Sequence, residues 1–191
     1  MITYLSGKLI EKTPTAFVIE CGGIGYEVKV SLNTYTNIGS DEAVKLYTQF
    51  IVREDAQILY GFADKDEREM FNLLVSVSGI GPSTAILMLS SLTPPEVAQA
   101  IAAEDVTTIK GVKGIGMKTA QRVIVDLKDK MLKFELSSDN VTTPNNTIRF
   151  DALTALISLG FDKKIAEKTL EKVFSDQGSV ELLIKDALKK L

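Results

Sequence analysis

Apolar and polar residues alternate from Tyr26 to Leu32, with Tyr26, Val28, Val30 and Leu32 set against Glu27, Lys29 and Ser31. A period of two predicts a strand with one buried face. Short runs rich in β-branched and aromatic residues predict further strands at Thr3 to Ile10, Ala16 to Cys21, Val44 to Val52 and Gln57 to Phe62. Gly22-Gly23 supplies a tight turn before the alternating strand. Five strands in this first third of the chain fit a small Greek-key barrel of the OB type.

From Asp64 the spacing becomes helical. The cluster Asp64-Lys65-Asp66-Glu67-Arg68-Glu69 carries acids suited to a helix N-terminal turn and reads as a solvated helix start. Met70, Phe71, Leu74 and Val75 then form an apolar stripe of the kind that faces a core. Thr93-Pro94-Pro95-Glu96 predicts another helix start, with Thr93 as the cap and proline in the first turn. Leu136 to Thr147 is polar and aperiodic, so burial cannot offset its ordering entropy, and it reads as a flexible linker. Beyond it, Phe150 to Leu159, Lys163 to Phe174 and Ser179 to Leu191 carry helical patterns, predicting a three-helix domain. The domain boundaries read from these changes are 1–63, 64–135, 136–147 for the linker, and 148–191.

Composition narrows the chemistry. The 191-residue chain has no histidine, which removes Ser-His-Asp and Cys-His nucleophiles and any His-ligated zinc site. Its single cysteine, Cys21, lies in an apolar strand pattern and reads as a structural thiol. No apolar run has the length of a membrane span and the N-terminus lacks a signal-peptide pattern, so the expected compartment is cytoplasmic. The net charge of −3 argues against nucleic acid until the charge is located. From Val106 to Val125 there are four basic residues, Lys110, Lys113, Lys118 and Arg122, and no acidic one.

That basic stretch lies inside a duplication. Placing Leu74 to Leu92 over Ile109 to Leu127, at an offset of 35, matches Val77 with Val112, Gly79-Ile80-Gly81 with Gly114-Ile115-Gly116, Thr84-Ala85 with Thr119-Ala120, and Leu92 with Leu127. Each copy predicts two helices joined by a tight Gly-Ile-Gly turn, a helix-hairpin-helix. The glycines permit positive φ and close approach of a backbone, while the following helix offers unpaired N–H groups and its positive dipole end. Such a turn can cradle a phosphate. Contacts of this kind give affinity without sequence preference and a steep salt dependence. One Gly-x-Gly turn is weak evidence, since glycine is the default turn residue; two at a fixed offset are not. A P-loop is the competing reading of Gly111 to Thr119, and it fails because Met117 stands where the lysine after the second glycine belongs.

With these features in place the chain resembles the RuvA family, the Holliday-junction-recognition subunits of the bacterial RuvAB branch-migration complex. The resemblance covers all three segments. It rests on the barrel, on Val52-Arg53-Glu54-Asp55-Ala56-Gln57 followed by Leu59-Tyr60-Gly61-Phe62, on the paired hairpins, and on Ala155-Leu156-Ile157-Ser158-Leu159-Gly160-Phe161. It implies an α+β multidomain protein: an OB-fold barrel, a tandem helix-hairpin-helix domain, a flexible linker and a C-terminal three-helix, UBA-like domain. It further implies a homotetramer, single or facing a second tetramer, that binds four-way junction DNA in homologous recombination, repair and the SOS response to DNA damage. The RuvB ATPase motor would be its partner, with the RuvC resolvase in a larger complex. The subunit itself would be non-catalytic, with no cofactor and no metal.

Carried over by motif, the implied DNA contacts are Gly79, Gly81, Ser83, Gly114, Gly116, Lys118 and Arg122, with Lys113 and Thr119 beside them. The first hairpin continues as Pro82-Ser83-Thr84, without the lysine some relatives carry there, which implies a weaker contact. Glu54 and Asp55, by composition ordinary solvated loop acids, become an acidic pin whose repulsion of phosphates keeps the junction centre open. Leu156, Leu159, Phe161 and Leu188 resemble the apolar positions that contact RuvB. A small three-helix core would claim such residues too; Leu156 suits both roles equally, and Phe161, after a helix-ending glycine, suits the interface better. The competing class is an enzyme, a helix-hairpin-helix module of a nuclease, glycosylase or ligase. No carboxylate cluster for metal lies near either hairpin in the sequence, and no base-sized pocket with a catalytic Asp or Lys is identifiable, which favours the scaffold.

Overall fold

A computed structural model describes residues 1–39, 42–138, 152–153, 155–157, 159–173 and 180–190. The chain divides into two units, Met1–Ser138 and Asp139–Leu191.

The first unit opens with five strands: β1 Tyr4–Lys12, β2 Ala16–Cys21, β3 Ile24–Val30, β4 Ala43–Val52 and β5 Gln57–Phe62. They close into a barrel in the order β1-β2-β3-β5-β4, with β3 and β5 parallel and the other pairs antiparallel. Gly22 and Gly23 take φ of 60° and 83°, the left-handed pair a two-residue hairpin needs to match the twist of its strands. Alternate residues turn inward, so Phe17, Ile19, Val28, Val30, Leu46 and Leu59 fill the barrel. The period of two stops one step earlier than the sequence suggests. Leu32, expected as the last inward residue of β3, instead begins helix α1, Leu32–Asn37, and is 46% exposed. Ser31 ends the strand by capping that helix, its hydroxyl accepting from the Thr34 N–H.

Five helices follow: α2 Lys65–Val75, α3 Pro82–Ser91, α4 Pro94–Ala102, α5 Val106–Gly111 and α6 Met117–Ser138. The expected starts hold, with Asp64 capping α2 and Thr93 with Glu96 forming a reciprocal capping box on α4. Met70, Phe71 and Leu74 are fully buried, whereas Val75 packs at the edge of the core. Phe71 stacks against Tyr60 and Phe62 of β5 at centroid distances of 5.1 and 5.0 Å, so barrel and helices share apolar contacts within one unit. Helix α6 continues to Ser138, which makes the first three residues of the expected linker helical; 139–147 lie outside the described residues.

In the second unit, residues 152–153 and 155–157 are helical, followed by α7 Lys163–Val173 and α8 Val180–Leu188. Ala152, Leu156, Ala166, Leu170, Leu183 and Ala187 form its core. The expected α+β multidomain architecture is the one observed. No helix among the described residues is long and apolar enough to cross a membrane.

Candidate nucleic-acid interface

The two Gly-Ile-Gly turns repeat one another bond for bond. After α2, Ile80 N–H donates to Val77 O at 3.0 Å; after α5, Ile115 N–H donates to Val112 O at 3.1 Å. Gly79 and Gly114 hold φ of 97° and 91°, which only glycine adopts without strain. Ile80 and Ile115 are each 5% exposed and pin their turns to the core. Ala85 and Ala120 then donate to Gly81 O and Gly116 O, both at 2.9 Å, as the next helix begins. A methyl group added to Gly81, Gly114 or Gly116 would meet no atom within 4 Å, so these backbones are open to an incoming group. A Cβ on Gly79 would lie 3.7 Å from Thr119 Cγ2, which places the first turn against the helix start of the second copy.

The helices that leave these turns differ from their neighbours. Helices α2, α4 and α5 begin under the side chains of Asp64, Thr93 and Asp105, which accept hydrogen bonds from first-turn N–H groups. Helix α3 begins at Gly81 with no side-chain cap, and neither α3 nor α6 has an acid in its first turn. The positive end of each dipole and its orphan N–H groups are left for an external anion.

Around the turns, Ser83, Lys113 and Lys118 are exposed and Thr119 is half-buried. Lys113 and Lys118 make no ion pair among the described residues, whereas Arg122 pairs with Asp126, Nε to Oδ2, at 3.5 Å. Asp126 stands just past the acid-free stretch from Val106 to Val125. The residue equivalent to Arg122 in the first copy is Leu87, 47% exposed. Glu54 and Asp55 occupy the exposed tip between β4 and β5, closed by Arg53 N–H donating to Ala56 O at 2.8 Å.

The acids at the start of α2 are not all solvated, contrary to the expectation from their clustering. Glu67 is 1% exposed. Ser31 Oγ donates to its Oε1, and Thr34 Oγ1 donates to its Oε2 at 2.6 Å. Burial pushes the Glu67 carboxyl above the usual carboxylate range, opposed by the two hydroxyl donors. The signal was available: Glu67, Met70, Phe71 and Leu74 stand at i, i+3, i+4 and i+7, on the buried face of α2.

In the second unit, Leu156 is fully buried and Phe161 packs half-buried against the same core, while Leu159 and Leu188 are 61% and 42% exposed. The helical residues up to 157 end in a Schellman turn: Gly160, at φ 97°, donates to Ile157 O, and Phe161 N–H donates back to Leu156 O at 3.2 Å. The turn folds Phe161 onto the core and leaves Leu159 outward. Among the described residues no group of three or more His, Cys, Asp or Glu side chains could hold a metal ion.

Comparison with known proteins gives matches along the chain. The model described as RuvA N terminal domain matches residues 1–61, SAM-like helix-hairpin-helix tandem matches 71–129, and RuvA, C-terminal domain matches 148–191. The Holliday junction branch migration complex subunit RuvA of Christiangramia forsetii is 55% identical over 193 residues, covering 100% of both chains. The proteins of the same name from Cytophaga hutchinsonii and Flavobacterium psychrophilum are 52% and 50% identical, covering 99% and 100% of each chain.

Proposed function

Because the chain belongs to the RuvA family, we propose that it binds four-way DNA junctions as a homotetramer and carries the RuvB motor to them for branch migration. The observation that carries this reading is the pair of equivalent turns, from which α3 starts without a side-chain cap and both α3 and α6 start without an acid in the first turn. Backbone phosphates satisfy the N–H groups there, and Gly79, Gly81, Gly114 and Gly116 let them approach. Ser83, Lys113, Lys118, Thr119 and Arg122 surround the same anion sites. Recognition is then of shape rather than sequence, because no base edge is needed.

Four copies multiply a weak backbone grip and bring four Glu54-Asp55 tips to the crossover, where they repel phosphates and keep strands parted. The subunit has no turnover of its own in this reading; hydrolysis belongs to RuvB. Leu159 and Leu188 offer RuvB an apolar contact on the second unit, with Phe161 at its margin and Leu156 supporting them from the core. RuvC would join the larger complex, in the cytoplasm.

The test is a mobility shift of a four-way junction against duplex of equal length, across salt and with RuvB added. Junction preference, a steep salt dependence and ATP hydrolysis only when RuvB is present are expected. Equal affinity for junction and duplex would overturn the reading. Changing Glu54 and Asp55 together to Gln and Asn should leave junction binding intact or tighter while altering branch migration.

A further inference from the structure

Helix α1 lies between the barrel and the helices and makes polar contacts to both. Thr34 Oγ1 accepts from the Ala63 N–H at the end of β5 at 3.0 Å while donating to Glu67 of α2. Ser31 Oγ accepts from the Thr34 N–H while donating to the other Glu67 oxygen. Asn33 Nδ2 donates to Leu89 O and Leu92 O, at 2.5 and 3.1 Å, and Leu32 N–H donates to Ser90 Oγ at 3.1 Å, both at the end of α3. Strand end, strap helix and the helices flanking the first hairpin are thus joined by directional bonds.

A buried carboxylate is an expensive way to fasten two elements. Glu67 has no cationic partner among the described residues, and its desolvation is offset by the Ser31 and Thr34 hydroxyls with a smaller contribution from the Ala63 N–H. An apolar side chain of similar size on the same stripe would fill the space without that cost. What the carboxylate adds is direction: apolar surfaces slide over one another, whereas two short hydrogen bonds to fixed hydroxyls do not.

We infer that Glu67, gripped by Ser31 and Thr34, is a positioning residue that fixes the angle between the barrel and the hairpin pair, and thereby sets the preference for junction over duplex. The inference rests on the junction-binding reading above. Leverage makes the angle matter. Val75 stands eight positions beyond Glu67 along α2, a rise of about 12 Å, and the first turn lies beyond that. A tilt of about 10° at Glu67 moves that turn by roughly 2 to 3 Å, about the length of a hydrogen bond, enough to lose a phosphate contact. Duplex needs only one subunit's hairpins; a junction needs the hairpins of several subunits held at matching angles.

The experiment compares the full chain with Glu67→Met, Glu67→Gln and Thr34→Val, measuring thermal unfolding, duplex affinity, junction affinity and junction arm geometry by fluorescence energy transfer. Glu67→Met should unfold at the same or higher temperature, bind duplex as before, and lose about tenfold in junction-to-duplex preference, with broadened arm angles. Glu67→Gln keeps an acceptor and should recover part of the preference; Thr34→Val should lose part of it. A Glu67→Met protein with unchanged preference and arm geometry would overturn the inference, as would equal weakening of junction and duplex binding. If the unaltered chain shows no junction preference, it is the functional reading that fails, which the same assay reports separately.

Discussion

The two hairpins share a backbone and differ in the side chains around it. Their turn hydrogen bonds agree to about 0.2 Å, and both buried isoleucines are 5% exposed. Around the second stand Lys113, Lys118 and Arg122; at the positions of the last two, the first copy has Ser83 and Leu87. What the two copies share is therefore glycine φ, isoleucine anchor and a helix start without an acid in its first turn. In this chain charge stands on one side only. A four-way junction needs several backbone contacts of moderate strength, and a grip built from N–H groups with charge at one turn supplies affinity without locking the DNA in place.

The largest effect should come from attacking what the copies share. Gly79→Ala and Gly114→Ala each force a Cβ-bearing residue to φ above 90°, at a cost of about 1–3 kcal/mol of unfolding free energy. The two losses should agree closely, because the 3.7 Å approach of Thr119 to a Cβ at Gly79 is ordinary contact and adds no clash. Urea unfolding of both variants measures this; a large inequality would mean that the copies are not equivalent as folded units.

Attacking what differs should give a smaller and one-sided effect. Lys118→Ala should weaken junction binding by about 1 kcal/mol and lower the salt slope by about one, whereas Ser83→Ala leaves the slope unchanged. Ser83→Lys should raise the slope by the same amount and make the copies alike. Titrations at several salt concentrations decide it; a slope indifferent to Lys118 would remove that residue from the interface.

The helices leading into the two turns invite a third contrast, in pH. Burial raises the Glu67 carboxyl in α2, so its contribution to stability is fully present below its unfolded value and is lost as pH rises through the folded one. Asp105, at the start of α5, is lowered by the Thr108 hydroxyl, then the Thr108 N–H, with the Thr107 N–H also contributing; its contribution is present above the unfolded value and lost as pH falls. Relative to the parent chain, between about pH 2 and pH 7, Glu67→Gln should therefore gain stability as pH climbs above the ordinary Glu value, and Asp105→Asn should lose it as pH climbs to the ordinary Asp value and stay level above it. Melting temperatures across that range would show both, and parallel curves would refute the opposition.

Periodicity carried most of the fold and failed at identifiable points. Four of the five strands and the capping box on α4 follow from local chemistry, so they were readable. Leu32 was misplaced because Ser31 can end a strand face or cap a helix, and only the contacts of α1 with α3 and Glu67 decide between them. The hairpins were legible because duplication makes a weak motif strong. Glu67 was not, since a charged cluster reads as solvated unless one member is noticed on the apolar stripe. Nor was the burial of Leu156 against the exposure of Leu159, which depends on how the Gly160 turn folds back.

The smallest predicted effect concerns Arg122. Its guanidinium is tied to Asp126 one turn along α6, so the second hairpin's charge is partly spent within the protein. An exposed pair of this kind is worth about 0.2–1 kcal/mol, so releasing Arg122 changes the fold little. Asp126→Asn should leave the melting temperature nearly unchanged while tightening junction binding by about twofold at low salt, a gain that fades as screening rises. Leu87→Arg in the first copy, with no acid at the equivalent of Asp126 because Ser91 stands there, should give a gain of similar sign without needing a second change. If Asp126→Asn instead weakens binding, the ion pair orients the arginine towards phosphate rather than competing with it, and the asymmetry between the two hairpins is larger than the side chains alone indicate.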